Sequence, residues 1–324
     1  MRKVNTKPIV SIICLTFNQE KYVRDCFEGF VMQQTNFQYE VLVYDDASKD
    51  GTPAIIREYA AKYPDIFKPT LYEKNNYLQG LGYVGLYTGI REAQGTYVAY
   101  CEGDDYWTDP KKLQKQVDFL ESHPDYEICA HDTQIKFERS QQTESILFSQ
   151  TDVNLFLDRR NRAEYQLADT LTGNIFHISS LMYRNFDIQL PEWIHEISAF
   201  DMVFYMLLAK EGKVHVLQDA MSVYRIHSDS LTSSGVEYQT AIPFLQLSVD
   251  VLLRMNDFWN RQYEDLIYPI VARYYVRMEF VYLSKSARDY AKARAMASKA
   301  RSFSLATYLK YQLVELYRKI RKHI

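Results

Sequence analysis

Between Ile9 and Glu121 strand-like and helix-like patterns alternate four times, and this alternation limits the fold more than any other feature of the chain. Ile9 to Leu15 is a continuous apolar run, the pattern of a strand buried on both faces. Glu20 to Gln34 has helical spacing, with Tyr22, Cys26, Phe27, Phe30 and Val31 on one stripe. Tyr39 to Tyr44 is a second strand, and Pro53, suited to a first helical turn, opens a helix through Tyr63. Pro69 to Tyr72 is a short third strand, followed by a loop and a helix to Ala93. Thr96 to Cys101 is a fourth strand, and Pro110 begins an amphipathic helix to Glu121. Strands separated by helices in this way predict an α/β fold with a doubly wound, mostly parallel sheet flanked by helices.

In such sheets ligands bind beyond the carboxyl ends of the strands. The polar motifs fall there: "TFN" (Thr16 to Asn18) after the first strand, "DDASKDG" (Asp45 to Gly51) after the second and "EGDD" (Glu102 to Asp105) after the fourth. Their coincidence on one sheet edge says more than any one of them.

Two motifs imitate other chemistry. "DDASKDG" begins like a calcium loop, but its twelfth position is Arg57 where a bidentate Glu is needed, so that reading fails. A turn with a helix N-cap would account for Ser48 and Asp50 but not for two adjacent acids at a strand end. "GLGYVG" (Gly80, Gly82, Gly85) is a literal G-x-G-x-x-G. A dinucleotide fingerprint needs its first glycine directly after the strand, whereas "EKNNYLQ" intervenes here, in the third strand–helix unit.

Glu102, Asp104 and Asp105 put three acids within four residues, and like charges so placed repel unless a cation sits among them. Mg²⁺ or Mn²⁺ suits such a group, since a hard dication takes one or two carboxylates plus substrate phosphates. It would also neutralise a diphosphate that bare carboxylates repel.

The stretches "SIICLTFNQEKYVRDCFEGFVMQQ", "EVLVYDDASKDGT" and "GTYVAYCEGDDYWTDPKKLQKQVDFLE" resemble family 2 glycosyltransferases of the GT-A fold, in order and spacing, over residues 7 to 230. The resemblance implies an inverting transfer of a sugar from a nucleotide-diphosphate donor, a UDP-sugar for preference, with a divalent metal. The acceptor would be a hydroxyl of a glycan or lipid-linked molecule in bacterial surface polysaccharide synthesis. Residue by residue, it implies that Thr16 and Asn18 border the nucleotide and that Asp45 or, preferably, Asp46 meets the base. Glu102 and Asp104 fill the D-x-D of the family, with Asp105 beside them on the donor. The leading Glu departs from the pattern, so Asp104 is the metal ligand expected first. "SAFDMVFYMLLAKEG" resembles the helix whose leading acid is the general base, which makes Asp201 the catalytic residue. "GNIFHISSLMYR" resembles the acceptor-side segment, and "SVYRIHSDS" the closing strand and loop. His227 there is a candidate metal ligand or phosphate contact. His177 and His131 are structural or acceptor-side residues.

Other classes fit less well. A sugar-phosphate nucleotidyltransferase would show a glycine-rich basic loop after the first strand, where this chain has "TFNQEKY". A non-catalytic nucleotide-sugar-binding protein has no need of Asp201 beside the acid cluster. The net charge of −3 gives no general affinity for nucleic acid. With 47% hydrophobic residues the 324-residue chain can bury a sizeable core, and a glycosyltransferase domain over 1–235 with a helical region over 236–324 is expected. The four cysteines form no C-x-x-C pair and read as buried reduced thiols of a cytoplasmic protein. The basic-then-apolar start imitates a short signal peptide but lacks a cleavage site, so it is read as the first strand. No apolar run is long enough to span a bilayer. The last helix carries Leu305, Leu309, Leu313, Leu316 and Ile320 on one stripe, with Lys310, Arg318, Lys319, Arg321 and Lys322 against Glu315. That pattern reads either as a peripheral contact with the inner face of the cytoplasmic membrane or as a helix packing on its own domain.

Overall fold

A computed structural model describes residues 7–138, 145–151, 162–227, 242–284 and 289–321. These residues form two compact units, one within 1–170 and 174–233, the other within 171–173 and 234–324.

The first unit is built on one mixed sheet. The expected alternation appears as β1 (Val10–Thr16), α1 (Val23–Val31), β2 (Tyr39–Asp45), α2 (Thr52–Lys62), β3 (Phe67–Leu71), α3 (Val84–Glu92) and β4 (Tyr97–Tyr100). A two-residue strand β5 (Tyr106–Trp107), α4 (Lys112–Ser122) and the long β6 (Tyr126–Phe137) follow. After β7 (Ser145–Leu147), β8 (Glu164–Tyr165), the single turn α5 (Leu167–Thr170) and β9 (Met182–Arg184) come α6 (Phe200–Glu211) and β10 (Lys213–Ile226). The strand order is β3-β2-β1-β4-β9-β6-β10-β5.

Strands β1 to β4 are mutually parallel where they pair. The short β9 lies between β4 and β6, antiparallel to both, so β6 points the same way as β4. Since β10 pairs parallel with β6, it also ends on that edge, and Thr16, Asp45, Cys101 and His227 therefore leave the sheet on one side. The order reverses at β1, with β2 on one side and β4 on the other, which is the switch point where doubly wound sheets open a crevice.

The apolar runs become a core between strands and helices. Val10, Ile12 and Cys14 of β1, Val41 and Val43 of β2, and Ala99 of β4 pack with Cys26, Phe27 and Phe30 of α1 and Leu113 and Leu120 of α4. All four cysteines are buried free thiols, and the Cys14 and Cys26 sulfurs lie 3.9 Å apart. Helix α1 is shorter than its spacing predicts. The Gln19 carbonyl takes the Tyr22 and Val23 amides in a turn, and Gln33 leaves the helix to bond the Asp109 carbonyl and the Leu113 amide. The glycines of "GLGYVG" have local duties. Gly80 and Gly82 adopt φ of 75° and 66°, the left-handed region, and a Cβ on Gly85 would come within 2.6 Å of the Tyr44 Cβ. The last glycine lets α3 lie close on the sheet.

The second unit comprises α7 (Ile242–Phe258), α8 (Glu264–Tyr282), α9 (Tyr290–Phe303) and α10 (Leu305–Arg321). Ala293, Ala297 and Ala300 form the buried stripe of α9, and Phe303 meets the rings of Tyr268 and Tyr275 of α8. Among the described residues no helix is long and apolar enough to cross a membrane.

Candidate active site

The loops leaving β1 and β2 are stitched together by the polar residues that end those strands. Thr16 and Asp45 are register partners, and the Thr16 hydroxyl donates to Asp45 Oδ1 at 2.9 Å. Ser48 closes the turn, its hydroxyl donating to the same oxygen at 2.6 Å and its amide to Oδ2 at 3.0 Å. Asn18, at φ 52°, accepts the Lys49 amide on Oδ1 and gives its own amide to the Ser48 hydroxyl. Asp46 reaches the loop before α3: Oδ1 accepts the backbone and side-chain N–H of Asn76, and Oδ2 the Tyr77 amide. Asp45 is 1% exposed, Asp46 half-buried and Asn18 exposed. Thr16, Asn18, Asp45 and Asp46 thus form one hydrogen-bonded rim beside the switch point.

The acid cluster sits next to this rim. A turn closed by the Asp105 amide on the Glu102 carbonyl brings one carboxylate oxygen each of Glu102, Asp104 and Asp105 within 4.8 Å of one another. Burial is the main cause that pushes the Glu102 carboxyl up to about 8; the Asp104 charge adds to it, against a hydrogen bond from the Tyr100 hydroxyl at 3.2 Å. Burial, and then Asp104, also raises the Asp105 carboxyl well above the usual range. Asp105 Oδ1 accepts the Arg225 amide, while Oδ2 is enclosed without a hydrogen-bond partner, 3.7 Å from His177 Nδ1.

Two residues of the β10 end enter the cluster. His227 Nε2 lies 3.2 Å from Asp104 Oδ2, its ring 4.5 Å from that of Tyr22. Arg225, whose side chain is 3% exposed, donates from Nη1 to the Asp104 carbonyl at 2.8 Å and from Nη2 to Asp25, with Tyr106 flanking the guanidinium at 4.2 Å. The chain therefore places its own cation beside the acids. In the sequence, nothing marks Arg225 beyond its place in "SVYRIHSDS". The guanidinium makes no ion pair with the side chains of Glu102 or Asp104, so it fixes the turn without filling the space between those carboxylates.

His177 stacks on Tyr224 at 4.1 Å and contacts the Ser179 hydroxyl at 2.9 Å. Burial lowers it to about 3, so the ring is neutral. His131 is fully buried with Nδ1 on the Asp132 carbonyl. Asp201 lies in the first turn of α6, where its Oδ2 accepts the Asn174 side-chain amide at 2.7 Å and its Oδ1 the Met202 amide at 2.9 Å. Burial raises its carboxyl, opposed by those two bonds. Asp201 is close enough to Glu102 to raise that carboxyl, and both charges act on Tyr83 and Tyr205. The site thus has a clustered acid group and, within electrostatic reach of it, a separate acid anchored at a helix start.

The sequence model described as Glycosyl transferase family 2 matches residues 11–188. Uncharacterized protein Rv1520 of Mycobacterium tuberculosis is 34% identical over 233 residues, 70% of this chain and 61% of its own length. The chain thus spans about three fifths of that relative. A Bacillus subtilis protein described as a teichuronic acid biosynthesis glycosyltransferase, TuaG, is 24% identical over 79% of this chain and 94% of its own. Among solved structures, S. aureus TarS 1-349 in complex with UDP-GlcNAc superposes with a TM-score of 0.60 at 19% identity, covering 96% of this chain and 91% of that one. Mannosyltransferase PcManGT from Pyrobaculum calidifontis, in complex with GDP-Man and Mn²⁺, gives 0.56 at 16% identity over 98% and 83%. These neighbours share the mostly parallel sheet. With the family match over more than half of its length, the chain belongs to glycosyl transferase family 2.

Proposed function

We propose that this chain is an inverting, metal-dependent glycosyltransferase that moves a sugar from a nucleotide-diphosphate donor, a UDP-sugar for preference, to a hydroxyl of a glycan or lipid-linked acceptor in bacterial surface polysaccharide synthesis. The observation that carries it is the Glu102–Asp104–Asp105 cluster together with a separate buried acid, Asp201, near enough to Glu102 to raise its carboxyl. Inversion needs one displacement, with base and leaving group on opposite sides of the sugar. The acceptor oxygen attacks the anomeric carbon, its proton passes to Asp201, and the carbon–oxygen bond to the diphosphate breaks as the nucleoside diphosphate leaves. Asn174 and the Met202 amide hold the Asp201 carboxylate in place for that proton.

The donor set suits a hard dication. Three carboxylates bring one oxygen each together, and Asp105 Oδ2 is enclosed without a hydrogen-bond partner. His227 Nε2 lies 3.2 Å from Asp104 Oδ2, near enough for both side chains to meet one ion. Asp104 and His227 would hold Mn²⁺ or Mg²⁺, with Glu102 and Asp105 toward the donor, and the ion would supply positive charge to the diphosphate. Thr16, Asn18, Asp45 and Asp46 would border the nucleotide, with Asp46 nearest the base. The UDP-GlcNAc and GDP-Man of the structural neighbours support the donor class, and the description of TuaG supports the pathway class. The test is donor hydrolysis and transfer over a panel of UDP- and GDP-sugars with Mn²⁺ or Mg²⁺, with the anomeric configuration of the product read by NMR. A retained configuration would overturn the single displacement, and absence of any nucleotide-sugar turnover or binding would overturn the reading as a whole.

A further inference from the structure

We propose that α9 and α10 together form a docking face for an anionic lipid surface. The first observation is a separation of charge. From Tyr290 to Ile324 the chain has nine lysines and arginines against one acid, Glu315, while the remaining residues hold twenty-nine basic against forty acidic ones. Arg294 and Lys299 of α9 and Lys310 of α10 are exposed, and among the described residues none of the three makes an ion pair.

The second observation is an exposed leucine row. Leu305, Leu309 and Leu313 recur every four residues along α10 and are 55%, 57% and 68% exposed. They are not how the helix is anchored. Among the α10 positions whose burial is described, Thr307, Tyr308, Tyr311 and Gln312 are the half-buried ones. Gln312 donates to Glu279 of α8 at 2.6 Å, and Arg273 of α8 lies 4.5 Å from the Tyr311 ring. One face of α10 is thus spent on its own unit, and a second face carries the leucine row, with the exposed Lys310 next to Leu309 along the helix.

An exposed leucine row in a unit whose exposed Arg294, Lys299 and Lys310 have no carboxylate partner among the described residues matches the boundary of an anionic bilayer, where the side chains reach the acyl layer and the ammonium and guanidinium groups meet lipid phosphates. A second copy of the chain would match the leucines, but it would set two strongly basic faces against each other. Charge complementarity therefore favours lipid over self-association.

Co-sedimentation of the full chain with vesicles tests this, using phosphatidylcholine alone and phosphatidylcholine mixed with phosphatidylglycerol. The chain should sediment with the mixed vesicles, not with phosphatidylcholine alone, and salt should release it. Each basic residue near an anionic leaflet raises partitioning by about fivefold, so Arg294→Gln/Lys299→Gln/Lys310→Gln should bind about 100-fold more weakly. Leu309→Ser/Leu313→Ser should also lose binding, with circular dichroism and melting unchanged because both sites are exposed; the charge variant stands as the second test should that pair fail to fold. Equal binding to both vesicle types, no binding, or wild-type binding by either folded variant overturns the proposal. So does a lipid-free dimer that Leu309→Ser/Leu313→Ser dissolves, which would assign the leucines to a second copy.

Discussion

Lys112→Met should stabilise the protein at neutral pH and lose that advantage as pH rises. Lys112, in the first turn of α4, is fully buried; its Nζ donates to Gln116 Oε1 at 2.7 Å and lies 3.9 Å from the centre of the Trp107 ring. Burial lowers this amine from 10.5 to about 7, while Cys101 and Cys129 act in the opposite direction. Between about pH 7 and 10.5 Lys112 therefore binds more protons in the unfolded chain than in the native one, and its own contribution to stability rises with pH across that window. At about 1.36 kcal/mol per pH unit, the difference is worth about 4–5 kcal/mol, withheld at pH 7 and regained by about pH 10.5. Burial raises Cys101 and pushes Cys129 up to about 12, an effect on pH dependence that both proteins share and that leaves their difference to Lys112. Methionine keeps the apolar stem but leaves Gln116 Oε1 without its donor, a cost of about 1–3 kcal/mol. Gln116 itself stays anchored by its bonds to the carbonyls of Cys129 and Ser180. The net expectation is a gain of about 1–4 kcal/mol at pH 7 that vanishes or reverses by pH 10. Urea unfolding of both proteins across that range, followed by tryptophan fluorescence, measures it. Titrations shared by the two proteins cancel in their difference. A difference that stays flat with pH would show that Lys112 is not titrating in the native core, and the reasoning would fail.

Three further outcomes follow from the site. Asp201→Asn should keep donor affinity in calorimetry yet lose transfer by about 10²–10⁴, since Asn174 can turn its amide to pair with the new side chain while no group remains to take the proton; near-normal turnover would move the base elsewhere. Asp104→Ala should abolish metal-dependent nucleotide binding, and chelation of wild type should do the same, both read by calorimetry with nucleoside diphosphate and Mn²⁺; unchanged affinity would remove Asp104 from the metal site. Arg225→Lys should weaken Mn²⁺ affinity by about 10–100-fold, because an ammonium cannot serve Asp25 and the Asp104 carbonyl as a guanidinium fork does. If the folded variant holds Mn²⁺ normally, Arg225 does not position the cluster.

The half of the fold that builds the rim was legible because parallel strands buried on both faces show as plain apolar runs, and their shared direction puts every carboxyl end on one edge. Thr16, Asp45 and Glu102 could be brought together by that logic alone. The insertion of β9 between β4 and β6 could not, because a three-residue strand has too little periodicity to declare its partners or its direction. Arg225 was hidden for a different reason. It lies 120 residues from Asp105, and nothing local in a closing strand says that its side chain turns inward to Asp25. The last helix shows the limit of a stripe: spacing marks the leucines as one face, yet Tyr308 and Tyr311 lie on another, and only packing shows that the second face meets α8.

The carboxylates themselves gain from this division of duties. A cation placed directly between Glu102 and Asp104 would have satisfied them permanently and left nothing for a ligand. Arg225 instead spends its donors on a main-chain carbonyl and on Asp25, and gives its amide to Asp105. The turn is thereby held in shape while, among the described residues, the Glu102 and Asp104 side chains meet the Tyr100 hydroxyl and His227. A rigid backbone with carboxyl oxygens left unspent is the arrangement that favours an exchangeable dication over a built-in one, because the ordering cost falls on the fold and not on binding. Asp46 follows the opposite rule, since both of its oxygens already hold the loop before α3. A nucleotide base meeting Asp46 would therefore share an acceptor with Asn76 or Tyr77, and occupancy of the donor site would be coupled to the order of that loop.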